Sequence, residues 1–185
     1  MRDPRRRGGS GIRNLIHRRE FLLAALAGVF APRALARAAA AEPALDAALE
    51  GSGFVYVSPL RADGQESTCH GEVWFGWLDG AVVLITARDR WKARAVLRGL
   101  DRARIWVGDH GTWKQLVGRS EAFRQAPSFE ARAAIAKDPA LLERLLATFE
   151  RKYPEEIGRW RDRMRQSFAD GSRVLIRYTP LDPRT

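Results

Sequence analysis

The sequence predicts a mainly β domain: an antiparallel barrel of six short strands, with two to three helices inserted before the last strand. Three observations lead there. Short β-rich runs recur between Phe54 and Gly118 and are separated by tight-turn dipeptides. Helical periodicity is concentrated in a block of about residues 128–169. A β-branched run, Ser172–Thr179, follows that block, which is how a late strand closes an open sheet edge.

The elements follow in order. Pro43–Glu50 reads as a short helix with Leu45 and Leu49 one turn apart, ended by Gly51-Ser52-Gly53. Phe54–Leu60 is the first strand, and Asp63-Gly64 marks the hairpin loop after it. Cys69–Leu78 is the second strand, in which Val73, Phe75 and Trp77 alternate with Trp74, Gly76 and Leu78. Asp79-Gly80 makes a two-residue turn, because it needs positive φ angles that Gly adopts without strain. Ala81–Thr86 is the third strand. Arg90–Leu97 is a helical turn or short helix ending at Gly99. Ala103–Gly108 and Thr112–Gly118 are the fourth and fifth strands. Ser128 is the expected N-cap of a helix over Phe129–Lys137, and Asp138-Pro139 starts the next one. Leu142, Leu145, Leu146 and Phe149 share a face of that second helix. Tyr153-Pro154 opens a third, with Ile157, Trp160, Met164 and Phe168 as its apolar stripe and Arg159–Arg165 as a solvated face. Asp170-Gly171 closes it.

The 185-residue chain has a net charge of +10, which suggests a nucleic-acid partner until it is divided. Residues 1–41 hold nine arginines against Asp3 and Glu20, which leaves 23 basic and 20 acidic residues beyond them. Nucleic acid is therefore not an expected partner. Cys69 is the single cysteine, so no intramolecular disulfide forms, and no structural metal site is expected. P-loop, Rossmann and His-Glu-x-x-His patterns are absent. Adjacent strand residues point to opposite faces, which rules out Cys69 and His70 as a catalytic dyad. No catalytic acid or base stands out.

Residues 1–41 have the build of a secretory signal: a basic lead, an apolar run over Leu22–Ala31 too short to span a bilayer, and a small-residue tract over Ala34–Ala41. Arg18-Arg19 followed by Glu20, Phe21 and Leu22 resembles the twin-arginine export motif. That resemblance implies passage through the twin-arginine translocase, removal of residues 1–41, a periplasmic or extracytoplasmic mature chain over residues 42–185, and no stable membrane span.

The ordered set Val73-Trp74-Phe75, Val82–Thr86, Lys92, Leu116–Ser120 and Arg173–Pro180 resembles the flavin-binding split barrels of the pyridoxamine 5′-phosphate oxidase-like superfamily. The resemblance covers most of residues 54–120 and 172–180. It implies a six-stranded antiparallel split β-barrel, a homodimer, and FMN or a deazaflavin at the subunit interface. It further implies an oxidoreductase acting on a small-molecule substrate. By the same resemblance Thr86 and Ala87 lie along the flavin or its phosphate, and Arg90, Trp91 and Lys92 face the phosphate. Trp91 stands where the oxidase itself has Arg. Two alternatives stay open: a non-catalytic binding module whose flavin site has degenerated, and a haem-binding barrel using His70 or His110.

Overall fold

The helix expected near the start of the mature chain, α1, occupies residues 45–51 of the computed structural model, which describes residues 45–108 and 122–181. The expected signal segment 1–41, the strand expected over residues 112–118, the Leu116–Ser120 stretch, and His110 lie outside the described residues. After α1 come β1 (Phe54–Pro59), β2 (Gly71–Trp74), β3 (Gly76–Leu78) and β4 (Ala81–Ala87). Then follow α2 (Trp91–Leu97), β5 (Arg102–Val107), β6 (Ser128–Ala136), α3 (Pro139–Lys152), α4 (Arg161–Ala169) and β7 (Arg173–Pro180).

The sheet order is β2-β1-β5-β6-β7-β4-β3, with every neighbouring pair antiparallel. β2 and β3 are the two ends of that sheet, yet only Phe75 separates them in the chain. The sheet is thereby joined to itself, and the result is a nearly closed barrel with few open edges. The split-barrel expectation stands in this broad form, with two corrections.

The first correction concerns the second strand. It is not one strand over Cys69–Leu78 but two, because the chain changes partner at Phe75. Trp74 pairs with Phe54 of β1, whereas Gly76 pairs with Val83 of β4. Gly76 also needs its missing side chain: a Cβ there would stand 2.9 Å from Leu145 Cδ1 of α3.

The second correction concerns residues 128–136. They form β6, not a helix, so the described residues contain seven strands, and the helices of the insert begin only at Pro139. Alanine, Glu and Arg favour a helix locally. Tertiary context overrides them, because Ala131 and Ala133 are buried inside the barrel while Arg132 and Ala134, which alternate with them, are exposed. Phe129 and Ala131 face Ile105 and Ala103 across the β5 ladder, where small side chains fit.

Alternation along the strands sorts side chains into two cores. Val82 and Leu84 of β4 join Val55, Val57, Ile105, Ile176 and Tyr178 inside the barrel. Val83 of β4 and Leu175 of β7 point outward and meet Leu141, Leu142, Leu145, Leu146 and Phe149 of α3. Each such buried side chain contributes roughly 1.5–3 kcal/mol of transfer free energy. Asp138 caps α3 as expected, its Oδ1 accepting from the Ala140 N–H at 2.8 Å. The end of α3 ties down the segment after α1. Lys152 Nζ donates to the carbonyls of Leu49 and Ser52, and the Tyr153 hydroxyl donates to that of Gly53. Tyr153 is therefore the C-cap of α3, not the start of a helix, and its ring stacks on Trp74 at 4.2 Å.

The turn chemistry matches the sequence. Asp79 and Gly80 both take positive φ angles, 50° and 65°, and the Asp79 carboxylate receives both Arg144 guanidinium nitrogens at 2.7 and 2.8 Å. The Arg159–Arg165 run is not uniformly solvated. Arg161 pairs with Glu150 and Arg165 with Glu143, each at 2.6 Å, which fastens α4 to α3. Among the described residues no helix is long and apolar enough to cross a membrane.

Candidate functional site

The expected site residues converge on the corner between β4 and α2. Thr86 and Ala87 end β4, in register with Val174 and Arg173 of β7. The Arg88 N–H then donates to the Ser172 carbonyl at 2.9 Å, and the Arg90 N–H donates back to the Ala87 carbonyl at 3.1 Å. These two bonds fold the chain sharply and place Arg90, Trp91 and Lys92 within one turn of the strand end. Helix α2 packs against β1, β4 and β6, with Ala93 fully buried in the barrel core. A short helix touching three separate strands lies across the barrel's mouth.

The three α2 residues have different surroundings. Arg90 is exposed. Trp91 is half-buried and packs against the barrel core. Lys92 is half-buried too, its Nζ 4.2 Å from the Trp91 ring centroid, a cation–π contact. Both side chains lie over Gly71 of β2, where a Cβ would stand 3.5 Å from Lys92 Nζ and 3.6 Å from Trp91 Cζ2. Nothing in the local sequence marks Gly71 for this role. The contact exists only because the barrel brings β2 beside α2.

Burial, and secondarily the charge of Arg90, pull the Lys92 ammonium down from 10.5 to about 8. No carboxylate among the described residues offsets that shift. Lys152 is the instructive contrast. Burial lowers it to about 8 as well, but its ammonium has two carbonyl acceptors and sits 3.8 Å from the Phe75 ring centroid. Lys152 is a structural tie, whereas Lys92 is a half-buried cation that no carboxylate among the described residues compensates. The corner thus fits a phosphate: Lys92 supplies the desolvated charge, Arg90 a second one at the rim, and Trp91 a partly exposed aromatic wall.

Other candidates differ. Cys69 is exposed, and the His70 ring lies against Phe123 at 4.8 Å with a buried Nδ1 that has no hydrogen-bond partner. Glu66 is saturated by Arg104 at 3.2 Å and Arg124 at 2.8 Å. Among the described residues no cluster of His, Cys, Asp and Glu can hold a metal ion.

No family model matches the chain, and no curated protein matches it. Solved structures do. A conserved hypothetical protein of Mycobacterium tuberculosis, Rv2991, is 22% identical with a TM-score of 0.53, covering 76% of this chain and 81% of its own. HutZ, the heme storage protein of Vibrio cholerae, is 17% identical with a TM-score of 0.51, covering 76% and 90%. Campylobacter jejuni ChuZ is 10% identical with a TM-score of 0.51, covering 77% of this chain and 53% of its own. At these identities the similarity establishes a shared fold.

Proposed function

We propose that this protein is an exported, homodimeric flavin-binding barrel that holds the phosphate of FMN, or of a deazaflavin, at the β4–α2 corner and works as an oxidoreductase on a small molecule. The observation that carries the reading is Lys92. Its half-buried ammonium costs stability in the absence of a counter-ion, and a phosphate dianion supplies one. Thr86 and Ala87 line the approach along β4, and Arg90 adds charge at the rim. A bound flavin supplies the hydride chemistry, and the protein contributes anchoring, stacking and exclusion of water. The exposed Leu97 at the end of α2 and Leu100 just beyond it support a subunit contact close to this corner.

FMN titration of the purified chain, read by quenching of flavin fluorescence, tests the reading. Saturable binding supports it, and colourless protein that takes up neither FMN nor a deazaflavin overturns it. The pH dependence is specific. Lys92 loses its proton near pH 8 in the ligand-free protein, and a phosphate favours the protonated form. Affinity should therefore hold steady from about pH 7 to 8 and fall by up to about tenfold per pH unit above that. Constant affinity to pH 9.5 or so would remove Lys92 from the phosphate site. For export, replacing Arg18 and Arg19 with Lys should leave the precursor in the cytoplasm, read by cell fractionation. Unchanged export would sink the twin-arginine route.

A second reading, haem binding, is favoured by the buried, unpartnered Nδ1 of His70, and the fold is shared with a heme storage protein. A Soret band on haem addition, abolished by His70→Ala, would select it. Folded protein that takes up neither flavin nor haem would select the non-catalytic module with a degenerate flavin site.

A further inference from the structure

The second feature of interest is a solvent-facing cleft of about 530 Å³ where the end of β4, the start of β7 and α4 meet. Arg88, Asp89, Arg163, Ser167, Ser172 and Arg173 line it. Three arginines and one aspartate are among its lining residues. Among the described residues neither Arg88, Arg163 nor Arg173 takes part in an ion pair, although the helix carrying Arg163 is rich in them. The reason is helical geometry. Arg161 and Arg165 are four residues apart, share one face, and are tied to Glu150 and Glu143 of α3. Arg163, two residues from each, stands on the other side of the helix, where it lines the cleft with its guanidinium 5.8 Å from the Trp160 ring centroid.

The walls are braced. The Arg88 N–H is bonded to the Ser172 carbonyl, and Ala87 pairs with Arg173 across the ladder. The Ser172 N–H donates to Asp170 Oδ1 at 2.8 Å, and the Ser172 hydroxyl donates to the Ser167 carbonyl at 3.3 Å. Cations held together on braced elements repel one another until an anion enters. Arginine's fork suits the tetrahedral oxygens of a phosphate, which several guanidiniums can share. The volume lies in the range of small-molecule sites and exceeds what a bare phosphate fills.

We infer that this cleft, which adjoins the β4–α2 corner at Ala87 but does not include Lys92, binds a phosphate-bearing small molecule. Lys92 lies over Gly71 of β2 and does not line the cleft. The inference is independent of the flavin reading.

The probe is inorganic pyrophosphate, titrated calorimetrically into the full mature chain at low ionic strength. Wild-type protein should bind it saturably. Arg163→Ala and Arg173→Gln should each weaken binding at least about tenfold, the loss expected for one charge-assisted contact. Arg159→Ala, exposed and outside the cleft, should leave it unchanged, and so should Lys92→Ala. Arg163 is exposed on a helix, so its alanine variant keeps the fold, which circular dichroism checks. Citrate, whose planar carboxylates present no tetrahedral set of oxygens, should bind more weakly than pyrophosphate. Absence of pyrophosphate binding to wild type overturns the inference, as does undiminished binding to Arg163→Ala. Loss in Lys92→Ala alone would move the anion to the other corner and overturn it equally. Citrate binding as tight as pyrophosphate would overturn the assignment to phosphate.

Discussion

Replacing Lys92 with Met should stabilise the fold and weaken FMN binding at the same time. Lys and Met have similar length and volume, so the barrel's mouth keeps its packing. What changes is the charge. Moving a lysine from 10.5 to about 8 corresponds to about 3 kcal/mol acting against its charged form. At neutral pH Lys92 is protonated in both folded and unfolded states, so the folded state bears that cost, offset in part by the Trp91 ring beneath the ammonium. Methionine recovers part of it, which should raise the melting temperature by roughly 3 °C. The sign has a pH signature. The folded pKa lies below the unfolded one, so the cost is complete below about pH 8 and is relieved as pH rises toward 10.5. The advantage of Lys92→Met over wild type should therefore shrink across that window. Lys152 titrates there too, but it is common to both proteins and cancels. FMN affinity should drop by about ten- to a hundredfold, the loss of one charge-assisted contact to phosphate. A lysine with a merely structural role would show the opposite pair of results: a lower melting temperature and unchanged flavin affinity.

Phe75→Ala should be the most damaging single truncation at the barrel seam. Phe75 is fully buried, stands between β2 and β3, and carries the Lys152 ammonium over its ring. Its removal opens a cavity where the sheet joins itself, at a cost of about 3–5 kcal/mol. Domains of this kind have only about 5–15 kcal/mol in total. Urea unfolding should show a midpoint lowered by about 1.5 M or more, with the slope unchanged. Phe75→Leu, which keeps most of the volume, should lose less than half as much. Equal, small losses for both would mean that the seam does not depend on this side chain.

Much of the fold is readable locally. The Asp79-Gly80 corner, the Asp138 cap, the strands β1, β4, β5 and β7, and the short helix α2 are encoded by residues that act on their immediate neighbours. Turn dipeptides need particular φ angles, caps need a side-chain acceptor at one position, and β-branched runs fit a pleated surface. The clustering of Thr86, Ala87, Arg90, Trp91 and Lys92 was legible for the same reason, since all five lie within seven consecutive positions.

Partner choice was not legible, because it depends on residues far away in the chain. An alternating strand from Val73 to Leu78 gives no sign that its halves join opposite ends of one sheet. The Ala-rich stretch of β6 has helical preferences, and only burial between β5 and β7 makes it a strand. Arg163 and Arg165 are equivalent in sequence, yet one is consumed by Glu143 and the other is left lining a cleft. Sequence alone determined where the chain turns and which side chains stand at the β4–α2 corner, because those are short-range matters of dihedral angle and hydrogen bonding. The tertiary structure decided which of those cations is desolvated and which stays exposed, because burial comes from packing.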